Sequence, residues 1–263
     1  MDLGLQGKVA LVAAASRGLG RAAATALARE GCDLAICSRD EERVRRAAEE
    51  IAQQTGRTVV PVRADLTRRE DIERFVKEAA GRFGWLHIVV CNAGGPPAGR
   101  FDELTEADWQ RAIPLTLLSA IRLAQAALPH LRKAGWGRMI FLTSVTVKQP
   151  IDTLVTSNVL RPGVVGLAKS LALQLAPENI TVNVVAQGYF LTERLRELAE
   201  DAARREGIEL SAALERWEAG VPAGRLGDPE ELGDLVAFLA SERASYITGA
   251  TIPIDGGLAR CLM

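Results

Sequence analysis

Histidine is nearly absent, with His87 and His130 the only two in 263 residues. A histidine-based metal centre therefore has little to build on, and no metal is expected. Cysteine is sparse too. Cys32, Cys37, Cys91 and Cys261 lack metal-ligand spacing, and three of them lie on or beside apolar runs. Buried free thiols in a reducing cytoplasm fit that pattern better than disulfides do. Charge of one sign is also missing. The 32 basic and 33 acidic residues leave a net charge of -1, which gives no electrostatic case for nucleic acid. No run approaches the roughly 18 uninterrupted apolar residues of a membrane span. The N-terminus lacks the basic-then-apolar order of a secretion signal. Neither nucleic acid nor membrane is expected as a partner.

What is present is a chain of 48% apolar residues, long enough for one large α/β domain. The stretch Lys8 to Arg29 organises it. An apolar run, Val9 to Ala13, reads as a buried strand. Ser16-Arg17-Gly18-Leu19-Gly20 reads as a tight turn, and the alanine-rich Arg21 to Arg29 as a helix. Strand, glycine turn and helix in that order make a mononucleotide-binding opening. The glycines let backbone approach a ligand, and the helix start offers free amides to phosphate.

The same alternation continues. Strands are expected at Asp33 to Ser38, Val59 to Arg63, Leu86 to Cys91, Met139 to Thr143, Thr181 to Val185 and Ala250 to Ile254. Helices are expected at Glu41 to Gln54, Glu70 to Phe83, Glu106 to Leu131, Thr156 to Leu175, and from Asp228 to Leu239. This predicts a doubly wound, Rossmann-type three-layer sandwich around a parallel sheet of about seven strands. The polar segment Thr192 to Gly220 is separate in character and reads as a helical flap, with a surface hairpin as the alternative. Trp109 and Trp217 read as packing or flap anchors.

From Leu5 to Gly257 the chain resembles the short-chain dehydrogenase/reductase family, and most of all its 3-oxoacyl-acyl-carrier-protein reductases. The marks are Ser16 to Gly20, Asp65-Leu66, Cys91-Asn92-Ala93-Gly94, Ser144, Gly166 to Ala172, Asn179 to Asn183 and Ile254-Asp255-Gly256-Gly257. The resemblance implies a nicotinamide cofactor, a small carbonyl or alcohol substrate and a homodimer or homotetramer. Its dimer would pair the two long helices beginning near Glu106 and Thr156. By matching position, the diphosphate would lie over Ala14, Ser16, Arg17, Gly18, Leu19 and Gly20. Asp65 and Leu66 would stand near the adenine, Asn92, Ala93 and Gly94 beneath the ribose, Gly188 at the nicotinamide end, and Thr192 at the nicotinamide amide or the phosphates. NAD sites usually place an acid at the tip of the second strand. Here the tip reads Ser38-Arg39, with Arg17 in the glycine turn. Two guanidiniums would grip a 2′-phosphate, so NADP is expected.

The match is incomplete. Ala13 and Ala14 stand where the family has threonine and glycine, and Ala14 requires a negative φ if its methyl is to be tolerated. Gln187 replaces the usual proline before Gly188. The family's reaction uses serine, tyrosine, lysine and asparagine. The block from Gly166 fixes the register: the tyrosine position holds Ser157 and the lysine position Arg161. Ser144 is retained thirteen positions before Ser157, and the asparagine position falls on Pro114. An aliphatic hydroxyl is a far weaker acid than a phenol, and arginine cannot join a lysine-style proton relay. Pro114 is expected to distort its helix. This resembles a divergent branch with a remodelled site. Two readings follow. One is a reductase whose proton donor is Ser157, Ser144 with a water, or Tyr189, with Arg161 steadying the substrate oxygen and the cofactor ribose. The other is a non-catalytic nucleotide-binding or regulatory protein that keeps the fold.

Overall fold

In the computed structural model, which describes residues 1–262, seven parallel strands form one sheet in the order β3-β2-β1-β4-β5-β6-β7. They are β1 (Val9–Val12), β2 (Asp33–Ser38), β3 (Val59–Arg63), β4 (Ile88–Cys91), β5 (Gly137–Leu142), β6 (Ile180–Gln187) and β7 (Thr251–Ile254). Val9 and Leu11 face one apolar core, whereas Ala10 and Val12 face the other. This period-two alternation of uniformly apolar residues builds a sheet buried on both faces. Helices α1 (Gly18–Arg29) and α2 (Glu41–Thr55) cover one face together with α9 (Pro229–Ala240). The other face carries α3 (Arg69–Phe83), α5 (Ser119–Ala134) and α6 (Val155–Leu175). Local chemistry sets the helix ends. Asp40 accepts from the Arg43 amide at the start of α2, and Gly56 ends that helix at φ 68°. At α9, Asp228 and Glu231 form a reciprocal capping box around Pro229.

The sheet matches the expected doubly wound sandwich. Strand order reverses between β1 and β4, where connections lead away on both sides and open a crevice at the carboxyl ends of the strands. Helix α1 begins at Gly18, three residues earlier than expected, so the glycine turn is the first turn of the helix itself. The helix predicted from Glu106 to Leu131 is α4 (Glu106–Ile113), a π-helical turn over Pro114–Leu118, and then α5. Pro114 thus widens the helix by one turn of π geometry and does not break it. The polar segment after β6 folds as α7 (Glu193–Glu206) and α8 (Leu210–Gly220), packed on each other through Ala199, Ala203 and Ala213.

Two segments, Glu106–Ala134 and Val155–Glu178, reach the length and mean hydropathy of a membrane span, at 1.4 and 1.2. Both are layers of this sandwich: α5 lies against α3, β4 and β5, and α6 against β6. All four cysteines are free. Burial pushes the thiols of Cys32 and Cys37 up to about 12, and that of Cys91 further. Only Cys261 is exposed.

One expectation fails. Ala14 has φ 49°, in the left-handed region, not the negative φ that its methyl group requires. The turn keeps the backbone path that glycine would take, at a cost of about 1–2 kcal/mol for the alanine. Ala14→Gly should therefore stabilise the protein by about 1 kcal/mol and raise Tm by about 2–4 °C, measured by thermal unfolding. Thiol titration near pH 8 should find one fast-reacting cysteine, Cys261, in the native chain and all four after unfolding.

Candidate active site

The crevice is built from the loops that follow β1, β4, β5 and β6. Its narrowest point joins the first two. Asn92 Nδ2 donates to the Ala14 carbonyl at 3.2 Å. A Cβ on Gly20 would lie 2.3 Å from that carbonyl oxygen and 2.7 Å from Asn92 Nδ2, so no side chain fits there. Gly18, at φ 57°, sits under Thr192, whose hydroxyl caps α7 by accepting from the Leu195 amide at 3.2 Å. On the far side, a Cβ on Gly188 would lie 2.7 Å from Asp255 Cβ. Ala14, Ser16, Arg17, Gly18, Leu19, Gly20, Arg39, Asp65, Leu66, Asn92, Ala93, Gly94, Gly188 and Thr192 all line one cleft of about 420 Å³. Ser144, Ser157, Arg161 and Tyr189 line it too.

At one end of the cleft, Arg39 follows the tip of β2 and forms no ion pair among the described residues. No carboxylate occupies that tip, where Ser38 Oγ accepts from the Asp40 amide. Asp65 is turned into its own loop and accepts from the Thr67 amide and hydroxyl at 2.9 and 2.8 Å. Arg17 behaves differently from the expectation. Its guanidinium is bonded to Glu193 and lies 3.5 Å from Glu197, both on α7. The expected pair of arginines facing one phosphate is thus not assembled: Arg17 ties the glycine turn to α7, and Arg39 stands alone.

The other end holds Ser157 and Arg161, expected from the sequence at the tyrosine and lysine positions of the family it resembles. Ser157 is buried near the start of α6, at 5% exposure. Its neighbours fix it: Thr156 Oγ1 donates to the Pro97 carbonyl at 2.6 Å, and Asn158 exchanges hydrogen bonds with the backbone of Ile151. Ser144 Oγ accepts from the Thr146 amide at 3.2 Å, which leaves its proton free to donate. Tyr189 stacks on Trp217 of α8, with ring centroids 5.2 Å apart. Burial raises its pKa, so the phenol keeps its proton at neutral pH. Tyr189 and Trp217 form one wall of a wider basin of about 920 Å³ under α7, which Pro114 and Leu115 of the π-turn also line.

Arg161 lies at the floor. Nη1 donates to the Leu142 carbonyl at 3.5 Å, and Nε is buried without a partner. The guanidinium separates the cleft from an internal cavity of about 20 Å³, where the Thr116 hydroxyl is also unpaired. No carboxylate compensates the charge. Burial, and then the neighbouring Arg194, depress the Arg161 pKa to about 10. Arg194 was missed in the sequence. It extends from α7, donates to the Pro96 carbonyl at 3.2 Å and fills the space that a side chain on Gly95 would take. The available signal was a cation in the first turn of a helix, where the macrodipole opposes it. Gln187 was read only as a lost proline, yet its buried Oε1 has no partner and lines the cleft.

A parallel doubly wound sheet with a glycine turn at the strand-order reversal defines a dinucleotide-binding architecture. Comparison with known proteins specifies it further. Residues 13–259 match a family model described as enoyl-(acyl carrier protein) reductase. The chain is 34% identical over 258 residues to 3-oxoacyl-[acyl-carrier-protein] reductase from Aquifex aeolicus, covering 98% of this chain and 100% of that protein. It is 35% identical to dehydrogenase/reductase SDR family member 4 from Sus scrofa, covering 97% and 88%. Among solved structures, L-sorbose reductase from Gluconobacter frateurii, complexed with NADPH and L-sorbose, superposes with a TM-score of 0.95 at 31% identity, covering 100% of both chains. The chain belongs to the short-chain dehydrogenase/reductase family.

A buried, uncompensated cation costs stability. Arg161→Met should therefore stabilise the fold by about 2 kcal/mol at neutral pH in urea unfolding. In the wild type, the unfolded state holds this proton to higher pH than the native state does, so the penalty from this one group is relieved as pH rises above about 10. The advantage of the variant should be full below that pH and narrow above it.

Proposed function

We propose that this chain is an NADP(H)-dependent oxidoreductase acting on a carbonyl/alcohol pair, with a serine–arginine site where the family uses tyrosine and lysine. The observation that carries the cofactor choice is Arg39, a guanidinium without a carboxylate partner at the tip of β2. It offers a directed, charge-assisted grip to a 2′-phosphate, and no acid there would repel one. The NADPH bound in the L-sorbose reductase structure supports the same choice. The residues fit such a cofactor. The turn from Ser16 to Gly20 lines the cleft at the start of α1, where the first amides of a helix can take a phosphate, and the buried Gln187 Oε1 lacks a donor that a carboxamide would supply. When bound, the cofactor supplies the hydride.

The protein's own groups then deal with the oxygen. Ser144 and Ser157 present hydroxyl protons to the developing oxyanion, and Arg161 places a positive charge behind it. Tyr189, held protonated by burial, is the proton source on the basin side. Arg161 Nε and Gln187 Oε1 favour a ligand-binding cleft, and hydride transfer to a ketone separates the reductase from the non-catalytic nucleotide-binding alternative. Buried atoms left unpaired at one end of a cleft are the pattern of a site that completes itself with ligand. Likeness to the Aquifex reductase favours a 3-oxoacyl-type carbonyl in a site that has diverged. We also propose a homodimer or homotetramer in the cytoplasm. Val159 and Leu173 stand exposed on α6, at 56% and 73%.

Calorimetric titration tests the cofactor assignment. NADPH should bind more tightly than NADH, and Arg39→Asp should weaken NADPH binding by roughly 10–100-fold and reverse the preference. A wild-type preference for NADH would overturn it.

A further inference from the structure

We infer that the substrate carries a free carboxylate, next to the reducible carbonyl or one carbon beyond it, and that Arg194 and Arg161 hold that carboxylate. This rests on the reductase reading above. The reacting end of the cleft is formed by Ser144, Ser157, Gln187 and Tyr189, all uncharged, together with the two guanidiniums. The carboxylates nearest along the chain, Glu193 and Glu197, are both engaged with Arg17. Arg194 has only a share in Glu197, at 3.5 Å, and Arg161 has no acidic partner at all.

Three costs converge on this pair. Arg161 has a buried Nε without a partner, and its surroundings hold no carboxylate. Arg194 is close enough for its charge to act against that of Arg161. Arg194 also occupies the first turn of α7, against the helix dipole. Its seat depends on Gly95, where a Cβ would come within 2.8 Å of its Nε. A neutral ketone would relieve none of these costs. An anion bound between the two side chains relieves all three, and a guanidinium fork matches a planar carboxylate in particular. In the reading proposed above, the phosphates of a dinucleotide would be held by the glycine turn and Arg39, which line the same cleft. The hydride goes to the carbonyl carbon and the proton to its oxygen, and the carboxylate is unchanged by the reaction.

The test compares an acid with its own ester at saturating NADPH: 3-oxobutanoate against ethyl 3-oxobutanoate, and 2-oxobutanoate against its ethyl ester. The acid of at least one pair should be reduced with kcat/KM roughly 10–100-fold above its ester. Arg194→Gln should collapse that ratio toward one, mainly through KM of the acid. Esters reduced as well as or better than acids would overturn the inference and leave the reductase reading intact. So would an Arg194→Gln variant that weakens NADPH binding but keeps the ratio, because the two arginines would then serve the cofactor. If nothing is reduced although NADPH binds, the reductase reading fails. The pair is then read by calorimetry with oxalate on the NADPH complex: binding that Arg194→Gln weakens at least about 10-fold supports an anion site, and no binding overturns it.

Discussion

One hydrogen bond sets the geometry of the crevice, the bond from Asn92 to the Ala14 carbonyl. It joins the loops after β1 and β4 at the point where strand order reverses. Its acceptor is aimed by a left-handed residue, and Gly20 must approach that acceptor closely. Everything that lines the cleft is placed relative to this joint. Helix α1 starts at it, Thr192 and α7 rest on Gly18 beside it, and Gly94 and Gly95 continue from Asn92 toward the floor. The alanine at residue 14 shows how strictly the path is imposed. The backbone keeps the left-handed conformation although the side chain disfavours it, because the bond and the close packing leave no alternative.

The reacting end follows a different logic. In the proposed reading, hydroxyls backed by guanidinium charge take the place of a phenol tuned by a neighbouring ammonium. Arginine does not give up its proton near neutrality, so its contribution is electrostatic and positional. Burying it without a partner works against the fold, and the π-turn at Pro114–Leu118 adds an unpaired Thr116 hydroxyl next to it. Arg161 Nε and the Thr116 hydroxyl meet at this floor, and the unpaired Gln187 Oε1 lines the same cleft. Other unpaired polar atoms lie in the body of the fold, among them Nη2 of Arg138, an arginine fully buried on β5.

The sheet and its layers were legible because their signals are local and repeated. Apolar runs of strand length, spaced by amphipathic helices, leave few topologies open. The positions of Ser144, Ser157 and Arg161 in the chain were legible through the fixed register from Gly166, and all three line the crevice. What escaped depends on contacts between distant segments. Arg17 and Arg39 look equivalent in the sequence, but only the fold brings Glu193 and Glu197 to Arg17. The left-handed φ at Ala14 is enforced from outside its own segment, so alanine's preference misled. Pro114 signalled a distortion of its helix, and what the sequence left open was its form, a π-helical turn. Arg194 lay in a segment read only as a flap, and its reach to Pro96 is tertiary.

The contact between Arg17 and the start of α7 has one more consequence. Its partners are all solvent-facing, with side chains 44% to 64% exposed. Such ties contribute at most about 1 kcal/mol and are screened within a Debye length of roughly 8 Å at physiological ionic strength. The tie between the glycine turn and α7 is accordingly a soft one, whose strength follows the ionic strength of the surrounding solution.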